Sequence, residues 1–108
     1  MLSTSYLVMR EASPVVLRVQ GRASFDNCGP VRNFFADRRR RGEKEFIVDL
    51  KDCRGMDSTF LGILAGLANE TSPLGGKVIL TRPDSTLLSV IHNLGLDRLL
   101  TIAINFAE

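Results

Sequence analysis

Asp57 and Ser58 stand side by side where an apolar, β-rich run, Phe46-Ile47-Val48-Asp49-Leu50, gives way through Arg54-Gly55 to an apolar stretch of helical length. Both are strong N-cap residue types, so a helix start is signalled twice over. A strand that empties into a helix there sets a hydroxyl at the carboxyl edge of a sheet, where α/β folds tend to meet ligands and partners. As a nucleophile, Ser58 would need a base. The single histidine, His92, falls among Val90, Ile91 and Leu94 in an expected helix, and Asp57-Ser58-Thr59-Phe60 lacks nucleophile-elbow glycines. No catalytic residue is therefore assigned. As a phosphate acceptor, Ser58 would gain about −1.5 to −2 charges and three acceptor oxygens. Free N–H groups and the helix dipole tolerate that charge at a helix N-terminus, so the fold survives while a docked partner meets a dianion beside Asp57. A purely structural role, N-cap alone, stands beside that reading.

Other reactive residues point to less. Cys28 and Cys53 form no disulfide framework and no CxxC or Cys/His ligand set, which suggests two reduced thiols in a cytosolic protein and no metal. No glycine loop of the phosphate-cradling kind is present, and no cofactor is expected. The run Arg38-Arg39-Arg40-Arg41 falls in the last turn of an expected helix, where cations complement the dipole. Without interleaved aromatics, and with a formal net charge of only +2, it does not argue for nucleic acid. The longest uncharged apolar run, 59–67, is about half a bilayer span. With no signal peptide in view, the expectation is a cytoplasmic protein without a membrane segment.

At 108 residues the chain reads as one domain, with 44% hydrophobic and 24% charged residues arguing against disorder. Strands are expected at 6–9 and 15–21, flanking a Ser13-Pro14 turn. Asp26 and Asn27 are capping residue types ahead of a helix that starts near Pro30 and stops at Gly42. A strand over 45–50 leads to the Ser58 helix, which runs to about residue 70. The remainder reads as a strand at 77–81, a helix capped by Asp84 or Ser85 that ends at Gly95, and a closing strand over 101–106. The order β-β-α-β-α-β-α-β implies an α/β fold: a small mixed, mostly parallel sheet with helices packed on it. In the Ser58 helix the apolar side chains cover about 200° of arc, twice what one face against a sheet needs. Gly62 and Gly66 lie together on the other side.

Val48-Asp49-Leu50 followed by Met56-Asp57-Ser58-Thr59-Phe60-Leu61-Gly62 resembles the signature of the STAS domain family, which includes bacterial anti-sigma factor antagonists. The likeness covers nearly the whole chain as a single STAS domain, 1–108. It includes Gly21 with Asp26 ahead of the first helix, Lys77-Val78-Ile79-Leu80, and Leu94-Gly95-Leu96-Asp97 with the closing strand. The resemblance implies a binder and kinase substrate rather than an enzyme. An anti-sigma factor that is also a serine kinase would bind the unphosphorylated form and release its sigma factor. Phosphate on Ser58, with Thr59 as the alternative acceptor, would dissolve that complex, and a metal-dependent phosphatase of the PP2C type would reset it. It carries Asp26, Asp57, Ser58, Thr59, Phe60 and Gly62 into a partner-binding set. Phe60 departs from the glycine many members carry, and is expected to enlarge an exposed apolar edge that could select the partner. The alternative within the same family is an unphosphorylated adaptor subunit of a signalling or lipid-transport complex, docking through a Phe60/Leu67 edge.

Overall fold

The computed structural model describes residues 5–104. A hairpin opens the fold: β1 (Ser5–Glu11) runs antiparallel to β2 (Val15–Ala23). Then follow α1 (Gly29–Arg40), β3 (Glu45–Asp49), β4 (Cys53–Met56), α2 (Ser58–Thr71), β5 (Lys77–Thr81), α3 (Ser85–Asn93) and β6 (Thr101–Ala103). The sheet order is β1-β2-β3-β5-β6, parallel from β2 onward. The expected α/β architecture and its mixed, mostly parallel sheet are as observed. The expected closing strand, 101–106, stops at Ala103: Ile104 is a bend, and residues 105 and 106 lie outside the described residues.

A strand appears where none is expected. Arg54-Gly55, read as a break, lies inside the short strand β4, which pairs with the far end of β2. The long strand β2 therefore changes neighbour along its length, meeting β3 over 15–18 and β4 over 21–23. Gly21 makes the change: its φ of +89° lies in the left-handed region open to glycine, and its N–H donates to the Asp52 carbonyl at 3.0 Å. Four residues containing Arg and Gly carry no strand periodicity of their own. Pairing with β2 supplies the order that local sequence lacks.

Periodicity places the core. Val15, Leu17 and Val19 of β2, Phe46 and Val48 of β3, and Val78 and Leu80 of β5 alternate inward. Against them all three helices contribute to one cluster: Val31 and Phe35 from α1, Phe60, Leu61, Leu64, Leu67 and Ala68 from α2, and Leu87 and Ile91 from α3. Asp84 caps α3 by accepting from the Leu87 N–H at 2.7 Å, as expected. The first helix differs from expectation. Cys28 holds the N-cap position without a side-chain cap, and Asp26 and Asn27 instead shape the preceding loop. Three guanidinium groups of the Arg38–Arg41 run, those of Arg38, Arg40 and Arg41, gather around Asp37 at the helix end.

The other face of the central strands carries a buried carboxylate. Asp49 is fully buried and accepts from Arg18 Nε at 2.9 Å and from Arg82 through two nitrogens at 3.0 and 2.6 Å. The Thr81 hydroxyl (3.2 Å) and the Lys51 N–H (3.3 Å) complete the set. Arg82 reaches it from a left-handed backbone, φ +54°, which L-residues seldom adopt. Burial by itself would raise the Asp49 carboxyl, but the hydrogen bonds from Arg82 and Arg18 outweigh it and hold the group below its ordinary range. The folded value then lies under the unfolded one, so the stabilisation is complete above about pH 4 and is lost as pH falls through the folded value. Asp49→Ala is expected to cost about 3 kcal/mol at neutral pH, the low end for a broken buried pair because both arginines reach solvent. In urea unfolding the gap between the two proteins should narrow below about pH 4. A gap that stays constant on acidification would show that the arginines are not holding a carboxylate.

Candidate functional site

The end of β4 delivers Asp57 in an extended conformation, φ −92° and ψ 179°, and α2 starts at the next residue. Asp57 is the N-cap. Its Oδ1 accepts from the Phe60 N–H at 3.0 Å, the third N–H of the helix. Its Oδ2 accepts from the Phe25 N–H at 2.9 Å, in the loop between β2 and α1. The Asp57 N–H in turn donates to the Ala23 carbonyl at 3.0 Å. One residue thus ties the start of α2 to a loop 32 positions earlier. The hydrogen bonds from Phe60 and Phe25 hold its carboxyl below the usual range, so it stays an anion at neutral pH.

Because Asp57 does the capping, Ser58 does not. It occupies the first helical position, exposed, and its hydroxyl has no hydrogen-bond partner among the described residues. The purely structural reading of Ser58 as N-cap loses its basis. His92 sits in the last turn of α3 and pairs with Asp97 at 2.8 Å. Among the described residues no group of three or more His, Cys, Asp and Glu side chains converges as a metal site would require. Cys28 and Cys53 are buried and free.

The remaining expected site residues separate into surface and core. Thr59 is half-buried, and Gly62 is exposed. Asp26 is exposed in the loop that Asp57 holds, where it accepts from the Ser24 hydroxyl. Phe60 is completely buried, its ring stacked on Tyr6 with centroids 6.0 Å apart. It cannot form the expected apolar edge, nor can Leu67, also buried. The reason is position: as the third residue of α2, Phe60 falls under the helix, where the core requires bulk. Tyr6 itself donates to Asn27 Oδ1 at 2.8 Å, and burial pushes its phenol up to about 12, so it remains a neutral donor.

Exposed apolar surface comes instead from residues that sequence reasoning passed over or assigned inward. Phe25, in the loop held by Asp57, is 74% exposed. Leu94, expected on the buried face of α3, is 60% exposed. With Leu96 it faces Ser58, Leu61, Gly62 and Ala65 across a shallow apolar groove. A large aromatic between loop-forming residues was the available signal for Phe25. The glycines of α2 are not needed for packing within the domain: a Cβ at Gly62 or Gly66 would meet nothing within 4 Å. The wide apolar arc of α2 is largely spent on the core, leaving only its margins, Ile63 and Ala65, half-buried.

No curated protein matches the chain in sequence. An anti-sigma factor antagonist from Mycobacterium paratuberculosis superposes with a TM-score of 0.82 at 18% identity, over 96% of this chain and 88% of that one. The anti-sigma factor antagonist SpoIIAA in its unphosphorylated form gives 0.77 at 20% identity, over 94% and 89%. The Bacillus cell fate determinant SpoIIAA in its phosphorylated form gives 0.72 at 21%, over 94% and 92%. These similarities establish a shared fold. A family model described as "Mlab, STAS domain" matches residues 7–101, and the chain belongs to the STAS domain family.

Proposed function

We propose that this chain is an anti-sigma factor antagonist whose docking is switched by phosphate on Ser58. The observation that carries this reading is the division of labour at the start of α2. Asp57 satisfies the helix, and Ser58 is left exposed with an unengaged hydroxyl. The unphosphorylated form binds an anti-sigma factor that is also a serine kinase, across Ser58, Thr59, Gly62, Asp26 and the added apolar contacts Phe25 and Leu94. Transfer of the γ-phosphoryl group of ATP to the Ser58 oxygen, with loss of its proton, then sets a dianion beside the permanent charge of Asp57. A PP2C-type phosphatase removes it. Fold-level likeness to a protein solved in both phosphorylated and unphosphorylated forms supports the reading by analogy.

The magnitudes are consistent with a switch. An uncompensated charge buried in an interface costs about 3–5 kcal/mol, which corresponds to roughly a 10²–10⁴-fold loss of affinity. The fold is spared because the helix dipole favours an anion at this end. A second reading, an unphosphorylated adaptor, is favoured by the description of the matching family model. Its docking edge would be Phe25 and Leu94, since Phe60 and Leu67 are buried.

Incubation with the cognate kinase and ATP should place phosphate on Ser58, read by mass spectrometry. Phosphate on neither Ser58 nor Thr59 would sink the switch. Ser58→Ala should bind the kinase like the wild type, and Ser58→Asp should bind about 100-fold more weakly with little change in Tm. Equal binding by the two variants is the adaptor's result. Gly62→Ala separates packing from docking. It should stabilise the domain by up to about 1 kcal/mol in urea unfolding, while weakening partner binding because a methyl now stands on the contact surface. Unchanged affinity would place Gly62 outside that surface.

A further inference from the structure

The wall of the Ser58 groove opposite α2 is built on a turn. Leu94 caps the C-terminus of α3, Gly95 follows with φ +72°, and Leu96 opens a short 3₁₀ turn, Leu96–Arg98. That left-handed φ is open to glycine, and the turn leaves both leucines lining the groove. Each side of the glycine is anchored separately. Leu87 and Ile91 hold α3 in the core, and Leu100 is buried beyond the 3₁₀ turn. The Leu94 N–H donates back to the Val90 carbonyl at 3.1 Å, and the Gly95 N–H to that of His92 at 2.9 Å. On the far side the Leu99 and Leu100 N–H groups donate to the Leu96 carbonyl at 3.0 and 2.8 Å. Among the described residues no backbone hydrogen bond spans Gly95. The bond that does is between side chains, His92 Nδ1 to Asp97 Oδ2 at 2.8 Å, and it closes a loop around Leu94, Gly95 and Leu96.

That bond is sensitive to charge. The hydrogen bond from His92 holds the Asp97 carboxyl below its ordinary range, so at neutral pH it is an anion that only accepts. His92 Nδ1 therefore carries the hydrogen, whether the ring is neutral or cationic. Protonation of Nε2 adds a full positive charge to the donor and strengthens the bond, and the C-terminal end of α3 favours that charge. The pair's charged neighbour is Arg98, on the same 3₁₀ turn. Along α3, residues 85–93 carry no other charged side chain, and Ser58, Leu61, Gly62 and Ala65 across the groove are uncharged. Histidine is the side chain type whose charge ordinarily changes between about pH 5 and pH 8.

We propose that the His92–Asp97 bond positions Leu94 and Leu96 as one wall of the Ser58 groove, firmly while the imidazole is protonated and loosely once it is neutral. Its consequence for docking rests on the reading of the Ser58 surface as a partner site; the coupling of His92 to the wall does not.

Methyl relaxation NMR of the full chain at about pH 5 and about pH 8 tests the coupling. The Leu94 and Leu96 methyl order parameters should fall at the higher pH, with Leu64, in the core, unchanged. In Asp97→Asn, which keeps an acceptor without the charge, they should be low at both. His92→Gln removes the titrating ring and should likewise abolish the pH dependence, so the test survives if one variant is unstable. For docking, the affinity of the wild type for the cognate kinase is divided by that of Asp97→Asn, so that the kinase's own titration cancels. The ratio should be about two- to fivefold at the lower pH and about one at the higher. Order parameters that ignore pH, or that change equally in the variants, overturn the proposal. So does a ratio independent of pH. Failure of the wild type to bind the kinase at either pH would instead sink the docking reading, and the order parameters alone would then decide the coupling.

Discussion

A single carboxylate organises the exposed end of this domain. The two oxygens of Asp57 accept from two backbone N–H groups that the chain order keeps far apart, one in the first turn of α2 and one at Phe25. Without the first, α2 would begin with unsatisfied donors. Without the second, the loop bearing Phe25 and Asp26 would lose its side-chain tie to the start of α2 and keep the backbone one at Ala23. Both oxygens are engaged and the group is held ionised, so the site carries a constant negative charge. A charge added at Ser58 would stand beside that constant one.

The two central aspartates show how burial sorts identical groups into different roles. Asp49 lies beneath Arg18 and Arg82 with its acceptor capacity filled, so it contributes to stability and has nothing to offer a partner. Asp57 uses its oxygens on backbone at the surface, leaving the neighbouring Ser58 hydroxyl outside the cap. Separation of this kind lets a domain alter its surface charge while its core network is untouched.

The second helix is shaped by competing demands along one cylinder. Its inner arc supplies Phe60, Leu61, Leu64, Leu67 and Ala68 to the core. Its outer side carries Gly62 and Gly66, each costing about 1 kcal/mol of helix stability relative to Ala. Nothing inside the domain occupies the space they leave. Packing inside the domain therefore does not account for that cost.

How much of this was legible in the chain follows from which interactions are local. Hydrophobic alternation in Val15–Ala23 and the 3.6-residue repeat of α2 are properties of neighbouring residues, so strands, helices, their order and the Asp57-Ser58 junction could be read directly. That α2 is capped at Asp57-Ser58 and α3 at Asp84-Ser85 was legible for the same reason, each cap being a contact across three positions. What lay outside local reach needed the assembled sheet. Cys53–Met56 is a strand only because β2 turns at Gly21 to meet it. Asp57, not Ser58, became the cap because the same carboxylate also reaches Phe25. Phe60 went inward and Phe25 outward because the core closes over the underside of α2 and stops short of the β2–α1 loop. The sequence by itself determined every α-helix, every strand but β4, and the place of the Ser58 hydroxyl at a helix start, since these rest on residues within a turn of one another. Only the tertiary structure decided which side chains surround that hydroxyl, because that depends on segments joined by hydrogen bonds and packing across 30 or more positions.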